Sequence, residues 1–127
     1  MIETSIKDII GGKEVFKKLA EMPLNIKVAY NIARIIREIE KENKTFEETR
    51  QKLLFKYGEK DSAGQLIINQ NNQITIIPDQ IKNYNKEIQE LLDEKIKLNV
   101  EPINLNDLGE IQITPAEIYQ INMFIKE

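Results

Sequence analysis

The stretch NIKVAYNIARIIREIEKENKTFEETRQKLLFKY, residues Asn25 to Tyr57, decides the fold. Ile32, Ile39, Phe46 and Leu53 recur at heptad spacing within it. At about 100° per residue, Val28, Ile35, Ile36, Leu54 and Tyr57 join them in one arc roughly 100° wide, which predicts a single amphipathic helix. Asn25 is a suitable N-cap, because its side-chain oxygen can accept an N–H of the first turn. At 1.5 Å per residue the helix spans about 50 Å, more than a small domain needs, so it must find partners along its length. Asn43 and Arg50 interrupt the arc; they either set a register or mark where the helix meets water. Gly58 follows where a helix end favours a residue of positive φ.

Working outward, Ser5-Ile6-Lys7-Asp8 has the pattern of a capping box and opens a short helix. Gly11-Gly12 is expected to loosen it, with helix resuming over residues 13–21 until Pro23 ends it. Beyond the long helix, Asp61-Ser62-Ala63-Gly64 reads as a turn, and Gln65–Asn69 and Gln73–Ile77 as two strands of a β-hairpin. Pro78-Asp79 restarts helix, with Ile81, Tyr84, Ile88, Leu91 and Leu92 on one face through Lys95. Ile96, Leu98 and Val100 alternate as a strand. Asn104 to Gly109 reads as a loop or single helical turn, followed by an extended Ile111–Ile113. Thr114-Pro115-Ala116-Glu117 starts a final helix, with Ile118, Ile121 and Ile125 on one face, Tyr119 and Met123 on another, and Phe124 between. No internal repeat is expected. The reading is a helix-rich α+β chain: a long antiparallel helical hairpin, a β-hairpin at its tip and a C-terminal strand–helix unit. One domain is expected over residues 1–127, with a helical pair at 5–57, the hairpin at 65–77, a return helix at 79–95 and a strand and helix over 96–127.

The 127 residues include no histidine, cysteine or tryptophan. Ordinary zinc sites and the common nucleophile–base pairs therefore cannot be built, and no disulfide framework exists. The formal charge of −3 points away from nucleic acid as a partner. Residues 1–60 carry 13 Lys/Arg against 10 Asp/Glu and residues 79–127 carry 5 against 10, an asymmetry that either steers head-to-tail contacts or is ordinary surface. No apolar run reaches the length of a membrane span, and the first residues lack the layout of a signal peptide. Carboxylates alone could hold a metal, as Mg²⁺ or Ca²⁺. Glu87, Glu90, Asp93 and Glu94 are the densest group, but they lie opposite the apolar stripe of their helix. No catalytic residue, metal or cofactor is expected, and Gly11-Gly12 lacks the residues of a phosphate loop.

Two surfaces have the right chemistry for binding. Tyr30, Arg34, Arg37 and Lys41 share the polar face of the long helix, where an aromatic ring among cations could receive an acidic peptide, a nucleotide or other small anionic ligand, or a nucleic-acid backbone, or simply be solvated. Ile32 and Ile39, with Tyr119, Met123 and Phe124 of the last helix, are expected to form an oligomer interface, because an end helix apolar around most of its circumference wants two partners. The hairpin, apolar on both faces at Leu66, Ile67, Ile68, Ile74, Ile76 and Ile77, needs cover from the Ile96–Val100 strand and last helix or from another chain.

Leu19-Ala20-Glu21-Met22-Pro23, Lys56-Tyr57-Gly58-Glu59-Lys60-Asp61, Leu108-Gly109 and Ile113-Thr114-Pro115-Ala116-Glu117 together resemble a family of small uncharacterised proteins of tailed phages and prophages from low-GC bacteria. These motifs are caps and turns, so no functional residue carries over. The resemblance implies a viral protein in the cytoplasm of an infected or lysogenic bacterial host, or in the virion. The expected function is non-enzymatic: a homo-oligomer acting by protein–protein binding in phage assembly or structure, with a phage structural protein as partner. The alternative is an anti-defence protein that inhibits a host defence protein or sequesters a small nucleotide signal.

Overall fold

The computed structural model describes residues 1–126. Its α+β, helix-rich architecture agrees with the sequence reading. Contacts gather into two units, one of Met1–Asn43 with the chain from Glu94 onward, the other Lys44–Asp93.

The first unit begins with a strand the sequence did not announce. Strand β1 (Ile2–Ser5) pairs antiparallel with β2 (Lys95–Leu98), in the register Ile2↔Leu98, Glu3↔Lys97, Thr4↔Ile96 and Ser5↔Lys95. Alternation buries Ile2, Thr4 and Leu98 on one face and leaves Glu3, Lys95 and Lys97 to solvent. Ser5 ends the strand and caps α1 (Ile6–Leu19), its Oγ accepting from the Asp8 N–H at 3.2 Å.

Helix α1 is continuous through Gly11-Gly12, contrary to the expected loosening. Gly12 is buried, and a Cβ there would lie 3.2 Å from the Gln120 carbonyl oxygen and from Ile121 Cγ2, tighter than an ordinary contact. The glycine admits a close approach, and packing outweighs its weak helix preference, a deficit of about 1 kcal/mol.

Helix α2 runs Ile26–Tyr57, within one residue of expectation. Asn25 Oδ1 accepts from the Lys27 N–H at 3.0 Å, and the Asn25 carbonyl takes the Ala29 N–H at 2.8 Å. Its first half is far from uncovered: Val28, Ile32, Ile35 and Ile39 are buried in a core with Ile9, Val15, Phe16 and Leu19 of α1 and Leu98, Val100, Ile103, Leu108, Ile121 and Phe124. Phe16 and Phe124 meet edge to face, with centroids 4.9 Å apart.

The last helix is shorter than its apolar pattern suggests. α4 (Pro115–Gln120) has the expected capping box between Thr114 and Glu117, but Ile121 leaves helical geometry at φ −114° and a single 3₁₀ turn carries Asn122–Phe124. The chain then forms β4 (Ile125–Lys126), parallel to β3 (Ile103–Asn104). Ile121, Asn122, Phe124 and Ile125 are mediocre helix formers, and the strand partner gives their backbone an alternative. Glu117 also accepts from Lys18 Nζ at 3.0 Å; its backbone bond at Thr114, then Lys18, lowers its carboxyl below the ordinary value. Ile111–Ile113, expected to be extended, forms no strand.

In the second unit, the C-terminal turns of α2 are followed by a hairpin and by α3 (Ile81–Leu92), entered through a 3₁₀ turn at Pro78–Gln80. α3 stops three residues short of the expected Lys95, which belongs to β2. Tyr84 of α3 meets Tyr57 of α2 edge on at 6.3 Å, and Lys56 Nζ reaches Glu87 Oε1 at 3.4 Å. One isolated antiparallel bridge, Ile68↔Ile74, joins the two expected hairpin strands; Lys60↔Leu66 and Gly58↔Ile76 join them to the segment that follows α2, which the sequence reading did not include in the hairpin. The Ile96–Val100 stretch pairs with β1 through Lys95–Leu98.

Two glycine and turn expectations are also corrected. Gly58 does not have positive φ; it is needed for space, since a Cβ would stand 2.5 Å from the Leu54 carbonyl oxygen and 2.6 Å from Leu66 Cδ2. A repeat, unexpected from sequence, is present in the turns. Asp61 Oδ1 accepts from the N–H groups of Ala63 and Gln65, and eight residues on Asn69 Oδ1 accepts from Asn71 and Gln73. Each turn then places its fourth residue in the left-handed region, Gly64 at φ 81° and Asn72 at φ 58°.

Candidate binding surfaces

Tyr30, Arg34, Arg37 and Lys41 fall at positions i, i+4, i+7 and i+11 of α2, and all four are exposed, Tyr30 by 65%. The structure therefore brings the four together as one open face. Arg34 and Arg37 form no ion pair among the described residues. Half-buried Glu38 lies alongside and dilutes the charge. Such a face can hold an anion by stacking and guanidinium hydrogen bonds at one geometry.

The expected oligomer interface is not assembled. Ile32 and Ile39 are each 2% exposed and Phe124 is 0% exposed, so all three are spent on the core of the chain itself. The error is physical in origin: a heptad stripe looks the same whether a helix of another chain or of its own covers it. Met123 is partly buried against that core, and only Tyr119, at 81%, stands fully free.

The acidic group on α3 is divided. Glu87 is engaged near Tyr57 and Lys56, which in that order hold its carboxyl below the ordinary range, whereas Glu90, Asp93 and Glu94 face solvent. Among the described residues no three carboxylates converge to hold a metal ion. Asp61 spends its Oδ1 on two backbone N–H groups, as the expected turn. No helix of the described residues is long and apolar enough to cross a membrane.

Ten large apolar side chains of the described residues are exposed, and five of them lie in Lys44–Asp93: Phe55 (56%), Ile67 (40%), Ile68 (60%), Ile77 (36%) and Ile81 (46%). The other five, Met1, Ile26, Tyr30, Leu105 and Tyr119, belong to the first unit, and within Lys44–Asp93 Leu66, Ile74 and Ile76 are half-buried. None of the residues of the buried core cluster comes from this unit. Lys60 Nζ sits 4.7 Å from the Phe55 ring centroid and shields one face of it. The doubly apolar hairpin was a sequence-level signal for this surface; the contributions of Phe55 and Ile81 were not, because each sits in a helix whose pattern alone does not say how far its stripe is covered.

No protein-family model, curated protein or solved structure matches the chain.

Proposed function

We propose that the chain is a non-enzymatic protein that self-associates through the apolar residues of Lys44–Asp93 and acts by protein–protein binding, in phage assembly or structure as its caps and turns suggest. The observation that carries the reading is a unit whose buried large apolar side chains, among the described residues, are Phe46 and Tyr57 alone, while five others are exposed. Units below about 60 residues are marginal alone and commonly rely on association, and contiguous apolar patches mark interaction sites. A second copy is a fitting occupant because the unit is nearly charge-balanced, with 7 Lys/Arg against 8 Asp/Glu over residues 44–93, so like surfaces can meet about a twofold axis without strong repulsion.

Ile68 and Ile81 are exposed enough to carry a charge without disturbing packing. The double variant Ile68→Asp/Ile81→Asp is expected to keep its helical circular dichroism and to elute with the 14.8 kDa mass of a single chain in light scattering. An unchanged oligomer mass in that variant refutes the assigned surface.

A second reading, an anti-defence protein that blocks a host factor or takes up an anionic nucleotide signal, is favoured by the open Tyr30–Arg34–Arg37–Lys41 face. Charge reversal at Arg34 and Arg37 should then abolish inhibition in a phage-plating assay while leaving the chain's mass unchanged. Undiminished inhibition by the double variant removes this reading.

A further inference from the structure

We propose that the groove between α1 and the N-terminal half of α2 receives an acidic amphipathic helix of a partner protein. This surface is separate from the self-association surface.

Two adjoining cavities line the groove, about 150 Å³ and about 110 Å³ in volume, and they share Ala20, just past the end of α1, and Ile36 of α2. Phe16 and Ile39 form the floor at one end. Alanines at 20, 29 and 33 keep the walls low, which leaves room for side chains from outside. Each cavity is well below the several hundred Å³ of a small-molecule site, and they suit single apolar side chains spaced along a helix. The α2 wall runs from Ala29 to Ile39–Glu40, about 16 Å or three helical turns at 1.5 Å per residue, which matches anchors at i, i+3 or i+4, and i+7.

Charge identifies the occupant. On the α1 bank Lys13 and Lys17 line the groove and are exposed. The α2 bank carries Glu40, the sole acid lining either cavity, and no lining cation. Neither lysine has an ion-pair partner among the described residues. An apolar floor with a cationic bank on the α1 side complements a helix whose apolar stripe carries carboxylates along the flank facing α1, which also steer its approach. A second copy fits less well, since the stripes of α1 and α2 are consumed in the core and α3 carries Lys82 and Lys86 beside its own.

The test uses a fluorescent peptide of about 14 residues with leucines at i, i+4 and i+7 and glutamates along one flank, beside the same peptide with lysines for glutamates. Full-length protein is expected to raise the anisotropy of the glutamate peptide and leave the lysine peptide unaffected. Ala33 is exposed, so Ala33→Glu, which fills the groove with a bulky acid, should weaken binding by on the order of tenfold or more with the melting temperature unchanged. Lys13→Glu/Lys17→Glu should do the same. The proposal is overturned if neither peptide binds, if both bind equally, or if Ala33→Glu leaves affinity intact. It also falls if Ala33→Glu lowers the oligomer mass, because a second copy then occupies the groove.

Discussion

Ile39→Asp is expected to unfold the unit built from Met1–Asn43 and the chain beyond Glu94. Ile39 is 2% exposed and packs in the shared core of α1, α2 and the C-terminal segment. The change removes a buried aliphatic side chain and puts a carboxylate among the apolar neighbours of the core, a loss of more than about 4 kcal/mol. A chain of this size has about 5–15 kcal/mol in total, so little stability would remain. Thermal melting followed by circular dichroism should show the transition lost or shifted down by tens of degrees, with rapid proteolysis at ambient temperature. A variant that melts as the parent does while its oligomer falls apart would return Ile39 to a subunit interface.

Phe124→Ala ranks next. The ring is fully buried and meets Phe16 edge to face at 4.9 Å, so truncation leaves a cavity the two short strands beside it cannot collapse into. The expected loss is about 3–5 kcal/mol, read as a lower urea midpoint with an unchanged slope. A loss near 1 kcal/mol would mean that the C-terminal segment is loosely held and that the core ends at α2. Together the two substitutions test whether the first half of α2 is covered within the chain.

What could be read from sequence was local. Ser5, Asn25 and Thr114 announce helix starts because each side chain bonds a backbone N–H two or three residues away, and all three do so in the structure. The span of α2 follows from periodicity, which needs no knowledge of the partner. The strand Ile2–Ser5 was invisible because it is four residues long, merges directly into a helix and depends on a partner more than ninety residues away. Gly12 and Gly58 were misread for a shared reason: the sequence invites an argument from backbone freedom, whereas both glycines are needed because another atom occupies the space of a Cβ. The repeated turn was hidden since Asp61-Ser-Ala-Gly64-Gln65 and Asn69-Gln-Asn-Asn72-Gln73 share a hydrogen-bond plan more than residue identities.

The candidate surfaces divide along the same line. The cationic face of α2 was legible, because exposure on a helix follows from spacing once the apolar arc is known. The interface residues were not, since the same arc is satisfied by α1 and the C-terminal segment within one chain. The proposed self-association surface lies instead in Lys44–Asp93, where Ile68 and Ile81 are exposed.

The most direct test of that claim is sedimentation equilibrium of the unmodified protein over a range of micromolar concentrations. Self-association through Lys44–Asp93 predicts a mass that is an integer multiple of 14.8 kDa and falls on dilution. A constant mass of 14.8 kDa across the whole range would contradict it.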